Sequence, residues 1–187
     1  MSIELLSDSA SKLGNLISVG KLDPIELTEL YLKAIKEEPL SKRIYSTVTK
    51  ERARIEAKAS SDRMKSGMRK SALDGVPISW KDLFDTAGVF TEAGTDLLKG
   101  RIPSRDADVV RNATEAGLVC LGKTHMSELA FSGLGLNPVT QTPPCVNDLT
   151  AVAGGSSSGA AASVGAIPSA PCSLVSSTFS STASSTQ

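Results

Sequence analysis

The chain has 187 residues, 40% of them hydrophobic, and its 20 Lys and Arg residues balance 20 Asp and Glu residues to a net charge of +0. That is enough apolar material for a sizeable core in one ordinary domain, or in part of a larger one, and it excludes disorder throughout. No global field draws such a chain to nucleic acid or to an anionic membrane, so direct binding of either is not expected.

Ser7 and Asp8 read as the cap of a first helix, whose apolar positions Ala10, Leu13, Leu16 and Ile17 recur at helical spacing, with Gly20 just past its end. Asp23-Pro24-Ile25-Glu26 then supplies an N-cap acceptor, a proline at the first helical position and a Glu at the third, ahead of the stripe Leu27, Leu30, Tyr31, Ala34 and Ile35. Pro39 closes that helix. Thr49 is placed to cap a third, charge-rich helix over residues 49–64, expected as an outer layer packed by Ile55 and Ala59 alone. Residues 1–70 are therefore expected to form a helical segment.

From Leu73 the pattern changes. Asp74-Gly75 is a turn, and Val76-Pro77-Ile78-Ser79-Trp80 is a short apolar run typical of a buried strand, leading to Lys81-Asp82. Arg105-Asp106 opens a helical stretch with Val109, Val110 and Ala113 on one side and Gly117 at its end. Leu118-Val119-Cys120-Leu121 then reads as a second buried strand, stopped by Gly122. Strand, helix, strand implies a right-handed crossover, so the expected fold class is α/β: N-terminal helices followed by part of a mixed, largely parallel sheet covered by helices, with a core over residues 71–166.

Residues 133–144 are rich in Gly and Pro and read as an ordered surface loop, of a length that usually carries function. Gly154-Gly155-Ser156-Ser157-Ser158-Gly159 runs straight into Ala160-Ala161-Ala162-Ser163-Val164, a glycine-serine turn feeding a small-residue helix. The last charged residue is Asp148. Residues 169–187 hold eight Ser and three Thr with no helical or strand period, so a disordered tail is expected over residues 167–187.

Cys120, Cys145 and Cys172 lie far apart with no CxxC pair, which suggests neither a disulfide framework nor a structural zinc site and fits a reducing compartment. The N-terminus lacks a basic segment followed by an apolar one, and no run approaches the roughly 18 apolar residues of a membrane span. The expected location is the cytoplasm, with no membrane contact.

The glycine-serine turn admits three readings: phosphate binding, a flexible linker and nucleophilic catalysis. A P-loop needs Lys-Ser/Thr where Ala160-Ala161 stands, and a dinucleotide fingerprint lacks its third glycine between strand and helix. A flexible linker is opposed by the alanine-rich helix behind the turn. The third reading is nucleophilic catalysis, with a serine on a sharp turn near backbone N–H groups and a base within reach. Two bases compete: His125, the only histidine, and Lys81, whose position after a buried strand invites desolvation and a lowered pKa.

Three ordered motifs carry a family resemblance. Leu73-Asp74-Gly75-Val76-Pro77-Ile78-Ser79-Trp80-Lys81-Asp82, then Gly122-Lys123-Thr124-His125-Met126-Ser127-Glu128, then Gly154-Gly155-Ser156-Ser157-Ser158-Gly159-Ala160-Ala161-Ala162 resemble the amidase signature family. Arg105-Asp106-Ala107 and Gly135-Leu136-Asn137-Pro138 are similar to it as well. The resemblance implies a Ser–Ser–Lys hydrolase of small-molecule amides, with Lys81 as base and Ser156 as bridging serine in a cis peptide, and no metal or organic cofactor. It puts His125, Met126, Ser132 and Gly133 near the cleft and Ser157 beside the relay. By position the nucleophile falls at Ser180 or Ser181, where Phe179-Ser180-Ser181 lacks the family's preceding glycine pair; an incomplete amidase-signature fold, inactive as written, is therefore expected. Two alternatives stand beside it. One is a non-catalytic product or an interaction module that competes for an oligomer interface through its N-terminal helices, with a homo-oligomer as the expected partner state; the other is the glutaminase component of a tRNA-dependent amidotransferase.

Overall fold

The computed structural model describes residues 3–166 together with Ser173 and Leu174. Most of the expected tail, including Ser180 and Cys172, lies outside the described residues. After a 3-10 turn at Ile3–Ser7, helix α1 spans Ala10–Ser18. Its cap is Ser9, whose side chain accepts from the Lys12 amide, and not Ser7 or Asp8; Asp8 instead pairs with the Lys12 ammonium at 2.7 Å. Helix α2, Pro24–Glu37, starts where its signals place it: Asp23 accepts from the Ile25 amide at 2.9 Å, and Leu27, Tyr31 and Ile35 are buried.

A single turn, α3 (Ser41–Ile44), leads into strand β1 (Tyr45–Val48), which no sequence period announces because four residues are too few to show one. Helix α4 covers Lys50–Lys65, but its packing face differs from expectation. Ile55 is 71% exposed and Ala59 is exposed, whereas Ala53, Ala57, Ser60 and Ser61 are buried. Small side chains let α4 lie close to α2, where Ser61 donates to Asp23 at 2.9 Å and Arg54 pairs with Glu29 at 2.6 Å. Thr49 makes no side-chain cap; its hydroxyl donates to the Cys120 carbonyl at 2.9 Å.

Strand β2 (Pro77–Lys81) and strand β3 (Val119–Thr124) are wholly buried and parallel, joined through helix α5 (Asp108–Glu115). Two expectations are corrected here. Gly122 does not stop β3 but sits inside it, because β1 crosses so closely that a Cβ there would collide with the Thr47 carbonyl. Arg105-Asp106 does not open α5; the Asp106 carboxylate instead takes both terminal nitrogens of Arg52 and the Ala87 amide, the last at 2.7 Å. The sheet order is β1-β3-β2-β6, with β1 antiparallel to β3 and β6 (Ser173–Leu174) parallel to β2. A small antiparallel pair, β4 (Pro144–Cys145) and β5 (Asp148–Val152), precedes helix α6 (Ser158–Ala166).

The sheet divides two apolar clusters. Val119 and Leu121 join Leu13, Ile17, Leu27 and Tyr31 on one side, while Ile78, Trp80 and Cys120 meet Val110 of α5 on the other. Since successive strand residues face opposite ways, Trp80 belongs to the α5 side. Ser79, hydrogen-bonded to Tyr45 at 2.9 Å, and Lys81 belong to the opposite face. The architecture is α/β with a mixed sheet, and among the described residues no helix is long and apolar enough to cross a membrane.

Candidate active site

Parallel strands end together on one edge of a sheet, so the residues that close them meet the loops beyond. Lys81 closes β2 and has 0% exposure. Its Nζ lies 2.7 Å from Ser156 Oγ, in a buried hydrogen bond between residues 75 positions apart. Burial disfavours the ammonium and lowers the Lys81 pKa from 10.5 to about 8. A substantial share of the amine is thus uncharged in mildly alkaline water, as accepting a proton requires.

Ser156 stands on the turn before α6, and the Gly155–Ser156 peptide is cis. Two segments after β3 clamp that turn. On one side the Ser127 amide donates to the Ser156 carbonyl at 3.1 Å, and the Gly159 amide donates to the His125 carbonyl at 2.9 Å. On the other, the Gly155 amide donates to the Gly133 carbonyl and the Gly135 amide to the Ala153 carbonyl, both at 2.9 Å. Gly159 is required here, since a Cβ would sit 2.6 Å from the carbonyls of His125 and Ile44.

The motif residues converge on this place with different roles for backbone and side chain. Ser157 is buried beside Ser156. His125 and Met126 are buried, and the His125 backbone bridges α3 and α6 by donating to Ile44 and accepting from Gly159. Burial holds the His125 imidazole below its ordinary pKa. Ser132 and Gly133 are exposed, but their backbones join the clamp: the Gly133 carbonyl takes the Gly155 amide of the turn, and the Ser132 carbonyl accepts from Ser127 Oγ at 3.3 Å. Ser132 also lines an apolar groove of about 440 Å³ with Leu129, Phe131 and Leu136.

Sequence reasoning misses two supports. Asn137, buried in the Gly/Pro-rich loop, donates to the Gly94 and Met126 carbonyls at 2.8 Å and accepts from the Val139 and Thr140 amides. An Asn just before Pro138 in such a loop is the signal that points to it. The second is Lys123, 0% exposed, whose Nζ lies 3.2 Å from Asp82 and donates to Thr91 at 2.7 Å.

A buried amine against a serine on a glycine-serine turn, at the end of a parallel strand, is the arrangement of the amidase signature class. The chain belongs to the Amidase family, which matches residues 26–178. It is 41% identical over 152 residues to a glutamyl-tRNA(Gln) amidotransferase subunit from Anaeromyxobacter dehalogenans (strain 2CP-C), covering 80% of this chain and 30% of that one. Its fold is similar to native peptide amidase from Stenotrophomonas maltophilia, with TM-score 0.77, 29% identity, and 87% of this chain and 35% of that chain covered. It is also similar to a chain from a vestigial complex bearing on the origins of an s-triazine catabolic enzyme, with TM-score 0.81, 30% identity, and coverage of 86% and 35%. The chain thus spans about a third of the length of the relatives it matches.

Proposed function

We propose that this chain carries the base and the proton relay of an amide hydrolase, with Lys81 as base and Ser156 as relay. The observation that supports it is the 2.7 Å contact between a buried, pKa-depressed amine and a serine hydroxyl held by backbone on both sides. In the forward step a serine nucleophile, assigned to Ser180 by position, attacks the amide carbonyl carbon. Its proton passes to Ser156 Oγ as the Ser156 proton passes to Lys81 Nζ. Collapse of the tetrahedral species breaks the C–N bond, the leaving amine takes the proton back along the same path, and water then hydrolyses the acyl ester. Ser157, Met126, Ser132 and Gly133 are the residues assigned to the substrate's side of the turn, the substrate being a small amide in the cytoplasm.

The test is release of ammonia or amine from small aliphatic and aryl amides by the purified chain. Turnover that is abolished in Lys81→Ala and in Ser156→Ala carries the reading, whereas turnover unchanged in both removes it. No turnover at all points to the non-catalytic alternative, because loss of one oxyanion donor already costs about 10²–10³ in rate. A second reading, the glutaminase component of an amidotransferase, draws on the curated relatives, which are named as glutamyl-tRNA(Gln) amidotransferase subunits. It predicts ammonia release from glutamine only when partner proteins are added.

A further inference from the structure

The residue after the proposed base is an acid, and an uncompensated carboxylate there would favour the charged form of the neighbouring amine. We infer that Lys123 is a positioning residue that neutralises and anchors Asp82, so that the adjoining Lys81 can lose its proton; this rests on the reading of Lys81 as base. Asp82 is held from several directions. Its amide donates to the Thr124 carbonyl at 3.0 Å, its carbonyl accepts from Ala93 at 3.1 Å, and its carboxylate accepts from the Glu92 amide at 3.2 Å. Lys123 supplies the countercharge at 3.2 Å and is itself tied to Thr91.

The register makes this possible. Trp80 stands opposite Lys123 and Lys81 opposite Thr124, so Lys123 and Asp82 share the α5 face of the sheet while Lys81 meets Ser156 on the other face. The pair has no net charge, and each member lies at the same sheet end as the amine. Burial pushes the Asp82 carboxyl up and the Lys123 ammonium down, and each is the principal charge opposing that push on the other. The other titratable groups around this sheet end are Glu92 beside Asp82, the Cys120 thiol, Asp85 and Asp106 acting on Lys123 at longer range, His125 after β3, and Tyr45 against Ser79 on the Lys81 face.

The experiment is a pH titration of the Lys81 ¹³Cε resonance in the full chain, assigned by its disappearance in Lys81→Ala. In the isosteric Asp82→Asn the unbalanced Lys123 charge moves the Lys81 midpoint down by about 1 pH unit, and in Lys123→Met the unbalanced Asp82 carboxylate moves it up by about as much. The double variant Asp82→Asn/Lys123→Met restores the starting value, as does Lys123→Arg alone. A purely structural role would shift both single variants in one direction. That result, or no shift in Asp82→Asn, overturns the inference. An ordinary midpoint near 10.4 in the unmodified chain overturns the base assignment instead.

Discussion

Two lysines lie near the same end of adjacent strands of one sheet, both fully buried, and they solve the cost of burial in different ways. Lys123 faces a carboxylate at 3.2 Å, so charge meets charge. Lys81 meets a serine hydroxyl at 2.7 Å and carries a pKa of about 8. The difference teaches what a site for proton transfer needs. An ion pair holds a proton in place, whereas a desolvated amine beside a neutral hydroxyl is poised to exchange one. The two lie on opposite faces of the sheet, on neighbouring strands, so the alternation of side chains separates the ion-paired lysine from the proposed base.

The comparison can be broken at each side. The largest expected effect is on turnover: where the unmodified chain hydrolyses an amide, Lys81→Ala lowers the rate by about 10³-fold or more while the chain stays folded, read by ammonia release beside circular dichroism. Next, Lys123→Ala orphans the buried Asp82 and destabilises the fold by about 3–5 kcal/mol in urea titration.

Lys81→Met acts in the opposite sense. The folded Lys81 pKa lies below its ordinary 10.5, so the charged amine is a burden on the folded state below pH 8. That burden is relieved as pH rises from about 8 to 10.5, because the unfolded chain binds the extra proton there. The unmodified chain therefore gains stability across that window. Lys81→Met is more stable by about 2 kcal/mol near pH 7, and the gain fades toward pH 10, measured as urea midpoints at several pH values. Asn137→Ala, which strips hydrogen bonds from the Gly94 and Met126 carbonyls, costs about 1–3 kcal/mol by the same titration. Ile55→Ala changes stability by less than about 0.5 kcal/mol, since that side chain faces water.

Local chemistry is legible in the sequence where it acts over a few residues. The Asp23 cap, the α2 stripe, the two buried strands and the small-residue helix α6 all follow from spacing and caps. Signals that depend on a distant partner mislead. Asp106 looks like a helix start but serves Arg52, Gly122 looks like a strand stop but admits β1, and α4 buries serines and alanines where spacing points to Ile55. In each case a long-range contact outweighs a local preference worth less than about 1 kcal/mol.

By itself the sequence determined that a lysine follows a buried strand, that a serine stands on a glycine-rich turn before a tight helix, and that the chain resembles amidases. Only the tertiary structure decided that this lysine and this serine touch across 75 positions and that the amine is desolvated. The physical reason is that proton affinity depends on the water excluded around a group. The groups that exclude that water, and the countercharge of Lys123 on the neighbouring strand, come together only when the sheet is assembled.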